Sequence, residues 1–275
     1  MIRTPEGKFT LSSLLVGAVL SQITATAAHY DLKKEGERKR SARHLRQLFY
    51  GLQRVLQPDN FVEAGANDAQ TSLDIRRLVP SAAIFAFEAN PFNHEFFSKQ
   101  IDFSSHRIAY QNMAVSDAVG TVSFKILRQM GETLIDPISE RNSILARSEP
   151  DTTYEEVAVP STSLDSYFSI AHGSFSLWID VEGASRQVLT GADRVLAKTQ
   201  SVIVEVESRA YWSHQWLYHD VCAHLMARGF VPVARDYEYK HQFNIVFLKD
   251  TIFSHPEILS ELEYYQSALV GSRRP

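Results

Sequence analysis

The chain has 275 residues, of which 44% are hydrophobic, so it is long enough for one large α/β domain with a short extension. Its 28 Lys and Arg residues against 32 Asp and Glu residues give a formal net charge of −4. A nucleic-acid partner is not expected, because the chain lacks the basic excess that such a surface requires. The single cysteine, Cys222, excludes an intrachain disulfide and favours a reducing, cytoplasmic location.

An apolar run near the N-terminus, within residues 8–29, follows Arg3 and Lys8. Serine and glutamine residues interrupt the run, and it is too short to cross a bilayer. Its composition resembles a weak secretory signal, but we favour a helix that packs on the domain or on a partner. The chain is therefore divided into an N-terminal helical extension, 1–44, which is a candidate contact for a homo-oligomer, and a main domain, 45–275.

From residue 60 onwards, strand-like and helix-like segments alternate along the chain. This alternation indicates a parallel sheet that is covered by helices on both faces. The predicted strands are 60–67, 82–90, 106–116, 175–183, 201–207, 230–235 and 243–250, with further extended segments at 121–127 and 157–168. The predicted helices of this region are 71–79, 91–101, 184–197 and 216–230.

Carboxylates lie at the ends of four of these strands. They are Glu63, Glu88, the pair Asp180 and Glu182, and the pair Glu205 and Glu207. Ligands of open α/β sheets bind beyond the carboxyl ends of the strands, so these side chains indicate a binding site. Glu88 ends the second strand, about one strand–helix unit after Gly65. A carboxylate at this position can accept hydrogen bonds from both hydroxyls of a ribose. Gly65 lacks the further glycines that bring a backbone against a pyrophosphate, which favours an adenosine cofactor without phosphates.

The chain resembles the FkbM family of S-adenosylmethionine-dependent methyltransferases in five segments, VEAGAN, AFEANP, NMAVSD, LWIDVEGASRQVLTGA and VIVEVE. The resemblance covers roughly residues 45–250. It implies S-adenosylmethionine as the cofactor and an α/β, Rossmann-like class I methyltransferase fold. That fold is a seven-stranded, mostly parallel sheet with helices on both faces and an antiparallel last strand. Two departures are Glu63 and Ala64, where the family usually has Asp and Val, and Ala184 and Ser185, where a Glu often follows.

The cofactor contacts are also implied by the resemblance, position by position. They are Glu63 and Gly65 beside the methionine part, Asn67 near its carboxylate, Glu88 on the ribose hydroxyls, and Ala114, Val115, Ser116 and Asp117 around the adenine.

Three carboxylates after the later strands are the candidates for the chemical step. Methyl transfer to an alcohol needs a base near the hydroxyl, and Asp180 and Glu182, with Glu205 behind them, are placed to supply it. Glu182 has an alternative role as a cap of the following helix. The three acids could instead hold a hard divalent cation, but the sequence shows no full ligand set and no metal is expected.

The predicted function is therefore O-methylation of a hydroxyl on a small molecule or a sugar. One alternative is a nucleotide-binding or partner-binding module that has kept the fold and lost catalysis, which the altered first segment suggests. A dinucleotide-dependent oxidoreductase is a weaker alternative, because the glycine-rich turn is absent.

Several other segments are candidates for the acceptor site. Segment 128–156 lacks clear periodicity and is a candidate lid. Two interpretations fit a group of aromatic residues equally well: they form a lid or wall of the acceptor site, or they belong to ordinary helix packing. The residues are Tyr211, Trp212, Trp216 and Tyr218. His172 could contact an acceptor, but an ordinary loop position is favoured. A zinc site is the alternative for His214, His219 and His224, and ordinary surface or boundary positions are favoured for them.

Overall fold

A computed structural model describes the backbone of residues 11–271 and the side chains of residues 17–270. Its centre is a seven-stranded sheet. The strands are β1 Asn60–Ala64, β2 Ala83–Glu88, β3 Ile108–Asn112, β8 Phe175–Ile179, β9 Thr199–Glu207, β10 Phe230–Arg235 and β11 Gln242–Lys249. They lie side by side in the order β10-β11-β9-β8-β1-β2-β3.

Only β11 breaks the parallel arrangement of this sheet, since it pairs antiparallel with both β9 and β10. The other neighbouring pairs are parallel. Parallel neighbours need a long crossover, whereas β10 and β11 follow each other through a short connection and can pair antiparallel. The predicted class I methyltransferase fold, with its antiparallel last strand, is confirmed.

Helices cover both faces of the sheet, as predicted. They are α1 Leu11–Ala25, α2 Glu35–Leu56, α3 Gln70–Leu78, α4 Pro91–Gln100, α5 Leu164–Tyr167, α6 Ser185–Thr190, α7 Asp193–Lys198, α8 Tyr218–Met226 and α9 Pro256–Gly271. Successive side chains of a strand point to opposite faces. Accordingly Phe61 belongs to a core cluster with α2 and α9, whereas Val62 belongs to a second cluster with α6, α7 and α8.

A second, four-stranded sheet lies beside the first and was not predicted as a separate unit. It consists of β4 Ala114–Val115, β5 Gly120–Met130, β6 Thr133–Leu134 and β7 Thr152–Thr162, in the order β4-β7-β5-β6. The predicted strand 106–116 is divided at Met113, so that its last residues pair with Ser161 and Thr162 instead of continuing in the main sheet.

The predicted helix 184–197 is also divided, into α6 and α7. Gly191 lies at the break, where a Cβ atom would be 2.4 Å from the Ser116 carbonyl oxygen. A larger residue therefore has no room at this position, and the chain turns there to pass Ser116.

The N-terminal helix α1 packs against β10 and α8 of its own chain. Its end is fixed by Tyr237, whose hydroxyl donates to the Ile23 carbonyl at 2.8 Å. Residues 8–10 of the predicted N-terminal segment lie outside the described range. Among the helices that the structure describes, none combines the length and the hydrophobicity that a bilayer crossing needs. The expected boundary between 44 and 45 falls inside α2, whose Leu45 and Phe49 are buried in the main core.

Candidate active site

A cavity of about 950 Å³ opens at the carboxyl ends of β1, β2, β8 and β9. It is where an open α/β sheet is expected to bind its ligand. The cavity brings together most of the predicted site residues, namely Glu63, Gly65, Asn67, Glu88, Ala114, Val115, Asp180, Glu182 and Glu205.

Gly65 follows β1 with a φ of 81°, in the left-handed region that favours glycine. A Cβ atom here would lie 1.6 Å from the Asp180 carbonyl oxygen. The backbone after β8 therefore passes directly against Gly65. This contact between two strand ends is enough to require glycine, whatever else binds in the cavity.

Glu63 is buried, with 3% of its surface exposed, and it points towards the first turn of α3. Its Oε2 atom accepts hydrogen bonds from the backbone N–H of Ser72 at 2.9 Å and from the Ser72 hydroxyl at 2.5 Å. Burial raises the pKa of Glu63 to about 8, although the hydrogen bonds from Ser72 oppose this shift. Glu63 thus lines the cavity while being held by a helix terminus.

Glu88 ends β2 and is 6% exposed. Its Oε2 atom accepts the backbone N–H of Asn67 at 2.6 Å, and its Oε1 atom accepts the backbone N–H of Asn90 at 2.7 Å. Burial raises the pKa of Glu88 to about 7, against the lowering effect of these two bonds. The loops after β1 and β2 therefore fix the carboxylate in one orientation at the wall of the cavity.

The four residues implied for the adenine are divided by the structure. Ala114 and Val115 line the cavity. Ser116 and Asp117 do not belong to its lining and instead lie against Gly191. Ser116 donates its backbone N–H to Thr162 in the second sheet at 2.8 Å. The divergence follows from β4, which leads the chain away from the main sheet.

Asp180, Glu182 and Glu205 converge at the ends of β8 and β9. One carboxylate oxygen from each lies within 4.8 Å of the others. Glu182 has a φ of 49°, which is uncommon outside glycine, and its carbonyl accepts the Ser143 hydroxyl at 2.7 Å. Gln242 donates its side-chain amide to Glu205 at 2.7 Å. The three side chains are partly buried and open onto the cavity.

Like charges this close raise each other's pKa, in addition to the effect of burial. Burial raises the pKa of Asp180 to about 6, and a hydrogen bond with Glu205 opposes the rise. The pKa values of Glu182 and Glu205 are raised well above the ordinary range, first by burial and then by Asp180. These three acids therefore keep their protons to a higher pH than exposed carboxyl groups do.

The match to a family model identifies the chain. Residues 63–266 match the Methyltransferase FkbM domain, which is well over half of the 275 residues. The chain belongs to the FkbM methyltransferase family. No curated protein sequence matches it significantly.

Three solved structures illustrate the likeness of the FkbM domain to other methyltransferases. FkbM from Methylobacillus flagellatus KT is 11% identical, with a TM-score of 0.43 over 69% of this chain, which spans only 44% of that protein. Precorrin-6y C5,15-methyltransferase from Geobacter metallireducens GS-15 is 15% identical, with a TM-score of 0.39, and 74% and 87% of the two chains are covered. A Burkholderia thailandensis 1,6-didemethyltoxoflavin-N1-methyltransferase with bound S-adenosylhomocysteine is 12% identical, with a TM-score of 0.37 and coverages of 90% and 93%.

Residues 136–148, called the lid segment below, line one side of the cavity of the FkbM domain, for example with Glu140 and Asn142. Asn67 donates its side-chain amide to Glu140 at 3.0 Å, and Asn93 donates to the Ser139 carbonyl at 3.1 Å. The segment is the central part of the predicted lid 128–156. The ends of that prediction belong to β5, β6 and β7 instead.

The four aromatic residues proposed for a lid or wall are not among the residues that line the cavity. Trp212 is buried and packs against Gly183, where a Cβ atom would lie 2.6 Å from its ring. Their packing role is the one that the structure supports. His172 lies just before β8, at the opposite end of the strand from the cavity, so it does not approach an acceptor there.

Other cavity residues were missed by the sequence reasoning. They are Arg46, Trp178, Asp236, Tyr239 and Asn244. Asp236 follows β10 directly and accepts the side-chain amide of Asn244 at 3.0 Å. Acids at the ends of only four strands were considered as site residues. Including the acid that follows the strand 230–235 would have identified Asp236. Arg46 gives no such signal, because it is one of many charged residues on α2.

Proposed function

We propose that this FkbM domain is an S-adenosylmethionine-dependent O-methyltransferase that acts on a hydroxyl of a small molecule or a sugar. The observation that carries the proposal is one continuous cavity with Glu88 in one wall and three clustered carboxylates in another. Its volume of about 950 Å³ lies at the upper end of small-molecule pockets and suits a cofactor together with a small acceptor.

The cavity residues fit an adenosine cofactor. Glu88 has both oxygens oriented by backbone N–H groups, and each oxygen keeps a further lone pair for a ribose hydroxyl. Ala114 and Val115 offer an apolar surface for the adenine, and Gly65 and Asn67, which also line the cavity, would border the methionine part. When bound, S-adenosylmethionine supplies an electrophilic methyl group.

The clustered acids supply the other requirement, a group that receives the hydroxyl proton of the acceptor. Base catalysis is most effective when the pKa of the base lies near the working pH, and the pKa of Asp180 is about 6. The backbone of Asp180 lies against Gly65, and Asp180 lines the same cavity, so we propose that this base is near the methionine part. A hydroxyl acceptor fits this arrangement, because an alcohol must lose a proton when its oxygen is methylated.

Calorimetry of the intact chain with S-adenosylmethionine, S-adenosylhomocysteine and NAD tests the proposal. We expect the first two to bind and NAD not to bind. Glu88→Ala should weaken cofactor binding about 10- to 100-fold, because it removes hydrogen bonds to a charged group. Glu88→Gln should weaken it less, since an acceptor oxygen remains.

Glu156→Ala is a matched control, because Glu156 is exposed on β7 away from the cavity. It should bind the cofactor as the unmodified chain does. If neither sulfur compound binds, the proposal is wrong. If both bind but labelled cofactor transfers no methyl group to any component of native extracts, the alternative of a binding module without catalysis is favoured.

A further inference from the structure

The geometry points to a binding site for a hard divalent cation, Mg²⁺ or Mn²⁺, formed by Asp180, Glu182 and Glu205 at the carboxyl ends of β8 and β9. This cluster is called the acid triad below. Asp180 and Glu182 lie in the turn that follows β8, and Glu205 belongs to β9, which pairs parallel with β8.

The acid triad has the dimensions of a cation site. One oxygen from each carboxylate lies within 4.8 Å of the other two, so a single ion placed between them can contact all three. Carboxylate oxygens are the ligands that Mg²⁺, Mn²⁺ and Ca²⁺ prefer. The triad also faces the cavity, which leaves room for water or an acceptor oxygen to complete the coordination.

A fourth carboxylate, Glu207, provides an independent observation. It is 1% exposed, and its Oε1 atom has no hydrogen-bond partner although it is buried. Glu207 is two residues after Glu205 on β9, so both side chains leave the same face of the strand.

An unpaired buried carboxylate oxygen is costly, and it is unusual in a folded protein. Glu207 Oε2 already accepts the side-chain amide of Gln215 at 3.0 Å, which leaves Oε1 as the free acceptor. A water molecule on a cation at the acid triad would be a suitable donor for it. The free oxygen of Glu207 thus leaves an acceptor available for a donor next to Glu205 on β9.

The protein itself does not neutralise this group of acids. Within residues 17–270, no ion pair joins Lys or Arg to a member of the triad or to Glu207. Arg46 and Arg147 line the same cavity. The ion pair of Arg147 is with Glu149, at 3.8 Å. A divalent ion would take the place of the protons that burial and mutual repulsion otherwise keep on these carboxyl groups.

With a cation at the triad, Asp180 would be a ligand instead of the proton acceptor named above, and the ion would contact an acceptor oxygen from the same side. That role rests on the proposed methyl transfer, whereas the binding of the ion does not. The ion is therefore tested without cofactor and without acceptor.

The test is calorimetric titration of the intact, chelator-treated protein with Mn²⁺, followed by competition with Mg²⁺. We expect one site per chain. Asp180→Asn and Glu205→Gln should each weaken Mn²⁺ binding by at least about tenfold, and Glu207→Gln should weaken it by about tenfold through the second layer of contacts. These variants remove charge from a repulsive cluster, so thermal unfolding should show that they still fold.

Glu238→Gln is the matched control, since Glu238 lines the same cavity but is not a member of the triad. It should keep the Mn²⁺ affinity within about twofold, because it is not a ligand. The inference is overturned if Mn²⁺ gives no saturable heat, or if Asp180→Asn and Glu205→Gln bind the ion as the unmodified chain does. Asp180 and Glu205 would then share a proton instead.

The two proposals fail separately. If S-adenosylhomocysteine binds and Mn²⁺ does not, the cofactor proposal stands and the cation site is wrong. If Mn²⁺ binds and neither sulfur compound does, the cation site stands and the proposed function is wrong.

Discussion

Glu63 shows how one residue connects the sheet to the helix above it. Its carboxylate accepts two hydrogen bonds from Ser72, near the start of α3, where helix N-termini favour a negative charge. Desolvation nevertheless dominates, and the pKa of Glu63 rises to about 8. Where the family usually has Asp, this chain has a side chain one methylene longer that ends at Ser72.

We expect this residue to make stability depend on pH. In the unfolded chain Glu63 has its ordinary pKa of about 4.5, whereas burial in the folded protein raises its pKa to about 8. Between these values folding takes up a proton, so the free energy of unfolding should fall as pH rises from about 5 to 8. Glu63→Gln cannot ionise at this position. Compared with that variant, the unmodified chain should lose free energy of unfolding by at most about 1.4 kcal/mol for each pH unit.

Urea unfolding of both proteins at several pH values between about 5 and 8 measures this difference. Parallel pH profiles for the two proteins would contradict the expected protonation of Glu63. Glu132→Gln serves as the control, since Glu132 is exposed in the turn between β5 and β6, and its profile should follow that of the unmodified chain.

At the scale of elements, the lid segment is held by polar contacts more than by apolar packing. Asn142 is its main anchor, because it accepts the backbone N–H of Leu127 at 2.8 Å and donates to the Ser139 carbonyl at 2.9 Å. These bonds join the lid segment to β5 and to its own preceding turn. The lid segment can therefore open locally while the main sheet stays folded.

Asn142→Ala should increase amide hydrogen exchange at Leu127 and across the lid segment, because the buried N–H of Leu127 loses its acceptor. A loss of about 1–3 kcal/mol of local protection is expected. Exchange in β1 and β8 should not change. Gln129→Ala is the control, since it removes only an exposed bond to the Gly131 carbonyl. Equal exchange in Asn142→Ala and the unmodified chain would mean that other contacts hold the lid segment.

At the scale of the whole molecule, the C-terminal helix α9 completes the core around α2. Glu261 of α9 packs so closely on Gly51 of α2 that a Cβ atom there would lie 2.2 Å from its Oε2. Ile258 is fully buried in the same cluster, and its neighbour Leu259 is 44% exposed. We infer that α9 is part of the folding unit and not an appended tail.

Ile258→Ala should lower the free energy of unfolding by about 2–5 kcal/mol, because it leaves a cavity between α9 and the core. Leu259→Ala makes a similar truncation on the exposed side and should change stability by less than about 0.5 kcal/mol. Guanidinium unfolding of the two variants gives the comparison. Equal effects at both positions would show that α9 does not contribute to the core.

The strands of the main sheet were predictable, because each is marked in the sequence by a short apolar run, and most of these runs end in a polar residue. The second sheet was not, since Ala114 and Val115 read as a continuation of β3 until Ser161 and Thr162 pair with them. The break at Gly191 was likewise hidden, because it depends on Ser116, which is distant in sequence.

The sequence by itself determined that Glu63, Glu88, Asp180 and Glu205 meet at one edge of a parallel sheet, because strand direction follows from the alternation of strands and helices. Only the tertiary structure decided what each carboxylate contacts. Glu63 meets a helix terminus, Glu88 meets two backbone N–H groups, and Asp180 and Glu205 meet each other. These differences depend on distances between residues far apart in the chain, which the packing of the strands sets and local sequence patterns do not encode.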